Sequence, residues 1–254
     1  MRRLRPVLLG LAGLIVAALT WVIGTTAAQN VFFPTPQTVL SRAAGYWTSP
    51  EGRANFASSL GNLLLGLLLA AVIGVAAGLV IGSVRLLSLA VSPWVEFARS
   101  IPSTALIPVA FLIFGLGDSM KLFLITLGSL WPILLNTIAG LRGIDQTLLD
   151  TAAVYRLSLG SRIRHVIVPA VAPRIATGIR IAIPISLILV VTSELVGSSE
   201  GIGFVIVDAQ ATFKLVDMWS GIVLLGLLGF LLTWLFGLLE RRLLRWTPAQ
   251  REPS

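Results

Sequence analysis

The feature that most constrains this chain is a succession of long stretches without a single charged side chain. Residues 6–41, 54–84, 100–117, 122–141 and 218–239 hold no Asp, Glu, Lys or Arg. A helix needs roughly 17–25 apolar residues to cross a bilayer. These blocks therefore predict spans over residues 7–24, 60–82, 100–116, 120–141 and 218–239. A further span, 175–195, carries Arg180 near one end and Glu194 near the other, and Arg180 can reach headgroups by extending along the helix. Only helices and closed barrels satisfy the backbone inside hydrocarbon. The blocks are too long and too evenly apolar for alternating barrel strands. The reading is an all-α integral membrane protein of six transmembrane helices in a lipid bilayer.

Composition agrees. The 254 residues are 56% hydrophobic and 12% charged, against about 25% charged in soluble domains. There is no cysteine and one histidine, His165, so disulfides, thiol catalysis and a multi-histidine metal site are excluded within one chain. The net charge is +8. With both termini in the cytoplasm, fifteen of the nineteen basic residues fall on the cytoplasmic side. That asymmetry fits the positive-inside rule and accounts for the charge without nucleic acid. Trp21, Trp94, Trp219 and Trp246 fall near span ends, where indole rings prefer the interface. The basic start and Thr26-Ala27-Ala28 resemble a signal peptide, but the apolar stretch exceeds an h-region of about 7–15 residues, so it is read as the first span.

Two loops are long. Residues 29–56 lie outside and predict a short amphipathic helix over 37–46. Residues 142–174 lie inside. There Thr147 and Asp150 fit a capping box, and a helix over 148–157 puts Leu148, Ala152 and Tyr155 on one face. Ser158 can cap a second short helix, which Pro169 and Pro173 end before the next span. The pattern suits either an amphipathic hairpin on the bilayer or a docking element for a cytoplasmic partner.

The same loop resembles the motif of binding-protein-dependent ABC importer permeases: Glu-Ala-Ala, three residues, Gly, nine residues, Ile-x-Leu-Pro. With Pro169 as anchor, Asp150-Thr151-Ala152 stands for Glu-Ala-Ala, Val166 and Val168 stand for Ile and Leu, and Arg156 falls where the family has Gly. Further likeness lies in the run from Arg99 through Ile101-Pro102-Ser103 to Pro108 and in Phe114-Gly115-Leu116-Gly117-Asp118. It continues in Trp131-Pro132, Ala139-Gly140-Leu141-Arg142, Val168-Pro169, Thr177-Gly178-Ile179-Arg180 and Gly201-Ile202-Gly203 after Glu194. Together these are similar to the nitrate/sulfonate/taurine branch of type I importers, over about residues 33–246. The resemblance implies the type I ABC importer permease fold and a homodimer. It implies a coupling helix in residues 145–168 seated in each of two ABC ATPase subunits, and a periplasmic or lipid-anchored substrate-binding protein. ATP and Mg would be bound by the partner ATPase. This chain has no cofactor of its own and lacks the Gly-Lys-Ser/Thr of a phosphate loop. It implies residence in the bacterial inner membrane and no enzymatic activity in this subunit.

On that frame Asp150, Thr151, Ala152, Tyr155, Arg156, Leu157 and Ser158 are the expected ATPase-coupling residues. Glu194, at the outer end of its span, is an ionisable group at a depth where such groups are functional, or else a solvated helix end. Ser129, Asn136, Thr137, Ser186, Thr192 and Ser193 could line a polar path, or serve as hydrogen-bonding groups between helices. Gly61, Gly66, Gly74, Gly78 and Gly82 run along the second span, and Gly74 with Gly78 is a small-xxx-small pair for close helix packing. The expected function is the permease of an importer for a small oxyanion or organic anion. The alternatives are an ion-coupled secondary transporter, which would want mid-span charges and inverted repeats, and an intramembrane enzyme, which would want a nucleophile–base pair or metal cluster.

Overall fold

A computed structural model describes residues 5–28 and 32–246. Arg2, Arg3 and Arg251, counted in the charge asymmetry, lie outside the described residues, as do residues 29–31 of the outer loop. The helices are α1 (Arg5–Ala28), α2 (Pro36–Trp47), α3 (Pro50–Ser83), α4 (Arg85–Ser100), α5 (Ile107–Phe114), α6 (Asp118–Arg142), α7 (Gln146–Val154), α8 (Leu159–Arg162), α9 (Val168–Gly197), α10 (Ile202–Ala211) and α11 (Leu215–Leu243). A 3-10 turn, Ser103–Leu106, precedes α5, and a π turn, Ile163–Ile167, joins α8 to α9.

Among the described residues, four helices are long and apolar enough to cross a membrane: Pro50–Ser83, Asp118–Arg142, Leu159–Gly197 and Leu215–Leu243. The first span expected from the sequence lies within α1, of 24 residues. The third, 100–116, is not one helix. It is the second half of a broken element in which α4 and the Ser103–Phe114 segment meet at 80°. Pro102 cannot supply an N–H to the α4 ladder, and Ile101 before it is extended, φ −79° and ψ 118°, as a residue before proline prefers. The anticipated outer helix is α2, opened by a Thr35 cap and Pro36 at its first position.

The core is a layer of three helices with α6 in the middle, between α3 and α9. Chain direction makes α3 and α6 parallel, and glycines set their spacing. Gly66 faces Ile125, Gly74 faces Ile133, Gly78 faces Thr137 and Gly82 faces Leu141, all in one register. A Cβ on Gly78 would lie 2.6 Å from Thr137 Cβ and 3.1 Å from the Leu134 carbonyl. Gly61 is different: it has open space around it and takes no part in the ladder. On the other side of α6, Gly178 of α9 lies so close that its Cβ would be 2.9 Å from both Ile133 Cα and the Pro132 carbonyl. Small residues let backbones approach to this distance, which is how helices gain contact where lipid gives no hydrophobic drive.

Pro169 and Pro173 do not end a helix. Leu159–Gly197 runs on as one rod: a π turn, Ile163–Ile167, precedes Pro169, and Pro169 falls in the first turn of α9, where a missing N–H is tolerated. Pro173 deprives the Pro169 carbonyl of its helical partner, and Trp246 Nε1 donates to that carbonyl instead at 3.4 Å. Arg180 does not simply extend to the headgroups. It forms an ion pair with Glu240 of α11, tying the ends of two spans.

Candidate functional site

The loop between α6 and α9 is built from local capping. Asp145, not Thr147, caps α7: its carboxylate accepts from the Thr147 N–H at 2.8 Å. Asp150 instead accepts from Gln146 Nε2 at 2.9 Å. The helix stops at Val154, earlier than the 157 that periodicity suggested. Arg156 N–H donates to Ala153 O at 2.9 Å and Leu157 N–H to Ala152 O at 3.1 Å. This 5→2 and 6→1 pair is a Schellman motif. The motif places Arg156 in the left-handed region, φ +50°. The resemblance puts Gly at that position, and the structure gives the physical reason: glycine adopts that φ without a steric cost. Ser158 then caps α8, its hydroxyl accepting from Ser161 N–H at 3.3 Å.

Ala152 is 3% exposed and packs inward, so it supports α7 rather than meeting a partner directly. Asp150, Thr151, Tyr155, Arg156, Leu157 and Ser158 are exposed. Between the two helices lies an apolar tip that the sequence reading missed: Val154 is 80% exposed and Leu159 78%, flanking Tyr155 at 75%. Their spacing across a turn hides them from a helical periodicity count.

A second polar constellation ties α3, α9 and α10 together at one end of the helix layer. The three N–H groups that open α10 return to two other helices. Gly201 N–H donates to Asn55 Oδ1 at 2.9 Å, Ile202 N–H to Ser59 Oγ at 2.8 Å and Gly203 N–H to Glu194 Oε2 at 2.8 Å. The Ser59 hydroxyl donates to Glu194 at 2.7 Å. Gly201 has φ +113°, and a Cβ there would collide with the Glu194 carboxylate. Glu194 is thus neither a solvated helix end nor open to a channel in this chain. It is buried, and it holds the turn into α10. Nearby, Asn62 donates to Asp118 at 2.8 Å and the buried Lys121 ammonium to the same carboxylate at 3.2 Å. Tyr46 of α2 stands beside Asn55, and its phenol is pushed up by burial and by the Glu51 charge.

Of the other pathway candidates, Ser129, Thr137, Ser186 and Ser193 are buried in the helix layer and Asn136 and Thr192 are half-buried. Thr137, Ser186, Thr192 and Ser193 donate to carbonyls of their own helices. Asn136 donates to the Pro132 carbonyl at 2.8 Å. Ser129 is fully buried and its hydroxyl has no partner among the described residues. Five of the six thus bond within their own helix. Among the described residues no cluster of three metal-ligating side chains occurs.

Comparison with known proteins follows the same lines. A family model described as "Binding-protein-dependent transport system inner membrane component" matches residues 70–245. A putative aliphatic sulfonates transport permease of Bacillus subtilis is 32% identical over 236 residues, covering 93% of this chain and 86% of that protein. A bicarbonate transport system permease of Synechococcus elongatus is 35% identical over 189 residues, covering 74% and 68%. A nitrate import permease of Leptolyngbya laminosa is 34% identical over 186 residues, covering 73% and 67%. In fold, the chain is similar to the MetNI methionine ABC transporter in an inward-facing conformation, with a TM-score of 0.60 at 21% identity over 77% of this chain and 94% of that one. The chain belongs to the family of binding-protein-dependent transport system inner membrane components, and is a permease subunit of an ABC importer.

Proposed function

We propose that two copies of this permease form the translocation pathway for a small oxyanion or organic anion, with both termini and the α7–α8 loop in the cytoplasm. A binding protein delivers the anion at the outer face, and two ATPase chains, which hold ATP and Mg, dock on the α7–α8 loops. Relatives named for sulfonates, bicarbonate and nitrate support the substrate class. The observation that carries the coupling role is the loop itself. It is two capped helices around a Schellman turn, presenting Val154, Tyr155 and Leu159 to solvent. An exposed apolar cluster on a fixed backbone is what a partner groove recognises. A hairpin lying on the bilayer would bury the same residues in lipid.

Co-purification with the ATPase separates the two. Asp150→Lys and Tyr155→Ala should each lower recovery of the complex at least about tenfold, the loss of a well-packed interface anchor. Both variants should still insert, since the loop is outside the spans. Full recovery of the complex and normal transport in both variants would assign the loop to the membrane surface.

A further inference from the structure

Helix α4 carries a polar residue at every fourth position, Ser88, Ser92, Glu96 and Ser100, and the stripe continues past the break to Thr104. Residues four apart share a helix face. Ser88, Ser92 and Glu96 line an open cavity of about 480 Å³ between α4 and α6, and Arg142 lines it too. The Arg142 guanidinium donates to the Ser88 hydroxyl, and Arg99 donates to Glu96.

The other end of the stripe lies at mid-depth. Ser103 sits against Gly128, where a Cβ would lie 2.9 Å from its Oγ. Within α6, Asp118–Arg142, Gly128 is about 15 Å from the start and about 21 Å from the end at a rise of 1.5 Å per residue. The hydrocarbon core is about 30 Å thick. At this depth Ile101, Pro102 and Thr104 are exposed on the single chain, and the hydroxyls of Ser103 and Thr104 have no partner among the described residues. Irregular backbone with free polar groups cannot face hydrocarbon. It occurs at membrane depth only where protein buries it or where it lines a water-filled cavity. Arg99, counted above on the cytoplasmic side, is only four residues from Ser103, and the Glu96–Arg99 pair would be costly in lipid for the same reason.

We infer that the α4 stripe and the break after it line a water-filled part of the translocation pathway, and that the pathway suits an anion there. Arg142 and Arg99 outweigh Glu96 in charge, and the free hydroxyls of Ser103 and Thr104 supply donors for oxygen atoms. This rests on the transport function proposed above and extends it to residues outside the coupling loop.

The chain lacks cysteine, so single cysteines report water directly. Ser92→Cys, Ser103→Cys and Thr104→Cys would be assembled with the ATPase in vesicles opened to both faces, with Leu112→Cys, 82% exposed on the apolar α5, as the lipid-facing control. Water-soluble methanethiosulfonates react through the thiolate, which needs water around it. Positions 92, 103 and 104 should react at least about tenfold faster than position 112. Relative to a free thiol, a negatively charged reagent should gain several-fold over a positively charged one, and Arg99→Gln should reduce that gain. Rates equal to the Leu112→Cys control would overturn the inference. So would a spontaneous disulfide between two copies at position 103 with no reagent access, which would mean that the second copy covers the break. A preference for the cationic reagent would overturn the anion assignment. Opening both faces makes the result independent of orientation, and loss of ATPase docking in the loop variants does not predict it, so the two readings fail separately.

Discussion

Replacing Glu194 by alanine should loosen the helix layer specifically at the entry to α10. The carboxylate receives the Ser59 hydroxyl at 2.7 Å and the Gly203 N–H at 2.8 Å, both buried. Without it these two buried donors lose the acceptor they share, while Ser59 keeps the Ile202 N–H. A buried donor left unpaired costs about 1–3 kcal/mol, so Glu194→Ala should destabilise by about 2–6 kcal/mol. Glu194→Gln keeps one acceptor oxygen and should cost about 1–2 kcal/mol. Gly201→Ala should act in the same direction, since its Cβ collides with the carboxylate. Denaturant unfolding of the purified subunit in detergent, followed by tryptophan fluorescence, gives the global loss. Amide exchange at residues 201–203 gives the local one. A loss below about 1 kcal/mol in Glu194→Ala, with unchanged exchange at Gly203, would refute the reasoning.

Arg156→Gly should slow amide exchange over residues 152–157. A non-glycine residue in the left-handed region costs about 1–2 kcal/mol, glycine loses about 0.5–1 kcal/mol in backbone entropy, and faster exchange in the variant would contradict the Schellman assignment. Gly178→Val should cost about 1–3 kcal/mol or more by forcing α9 off the α6 backbone, while Gly61→Ala, which meets nothing within 4 Å, should be near neutral. Equal effects at the two glycines would show that the glycine contacts do not set the helix spacing.

The apolar blocks were legible because a span is long and its signal is summed over some twenty residues. The Ser158 cap and α2 were legible because caps and prolines act locally. Helix α4 was missed for a physical reason. Arg85, Glu96 and Arg99 broke the apolar run, and the reading followed charge rather than the four-residue repeat of Ser88, Ser92, Glu96 and Ser100. Pro169 and Pro173 read as a stop, but Pro169 falls in the first turn of α9 and the Trp246 indole donates to its carbonyl in place of Pro173, a partner 77 residues away that no local pattern shows. Arg180 with Glu240 and Glu194 with Ser59 and Gly203 are pairings over long sequence distances, so the sequence marked the ionisable groups without their partners. The spacing put Leu148, Ala152 and Tyr155 on one face of a helix over 148–157, but Ala152 is buried and Tyr155 lies past the helix end. The turn at Tyr155-Arg156 ends the helix and sends Val154 and Leu159 to the surface instead.

The central claim is that this permease moves a small anion inward at the expense of ATP held by another chain. Reconstitution tests it most directly: proteoliposomes holding the permease with its ATPase and binding protein, and uptake of isotopically labelled nitrate, bicarbonate or an alkanesulfonate measured with and without ATP. Uptake should require ATP and the binding protein together, and the permease alone should hydrolyse no ATP, since it has no phosphate-cradling loop. Hydrolysis by the permease alone, or uptake that follows an imposed ion gradient and ignores ATP, would contradict the account.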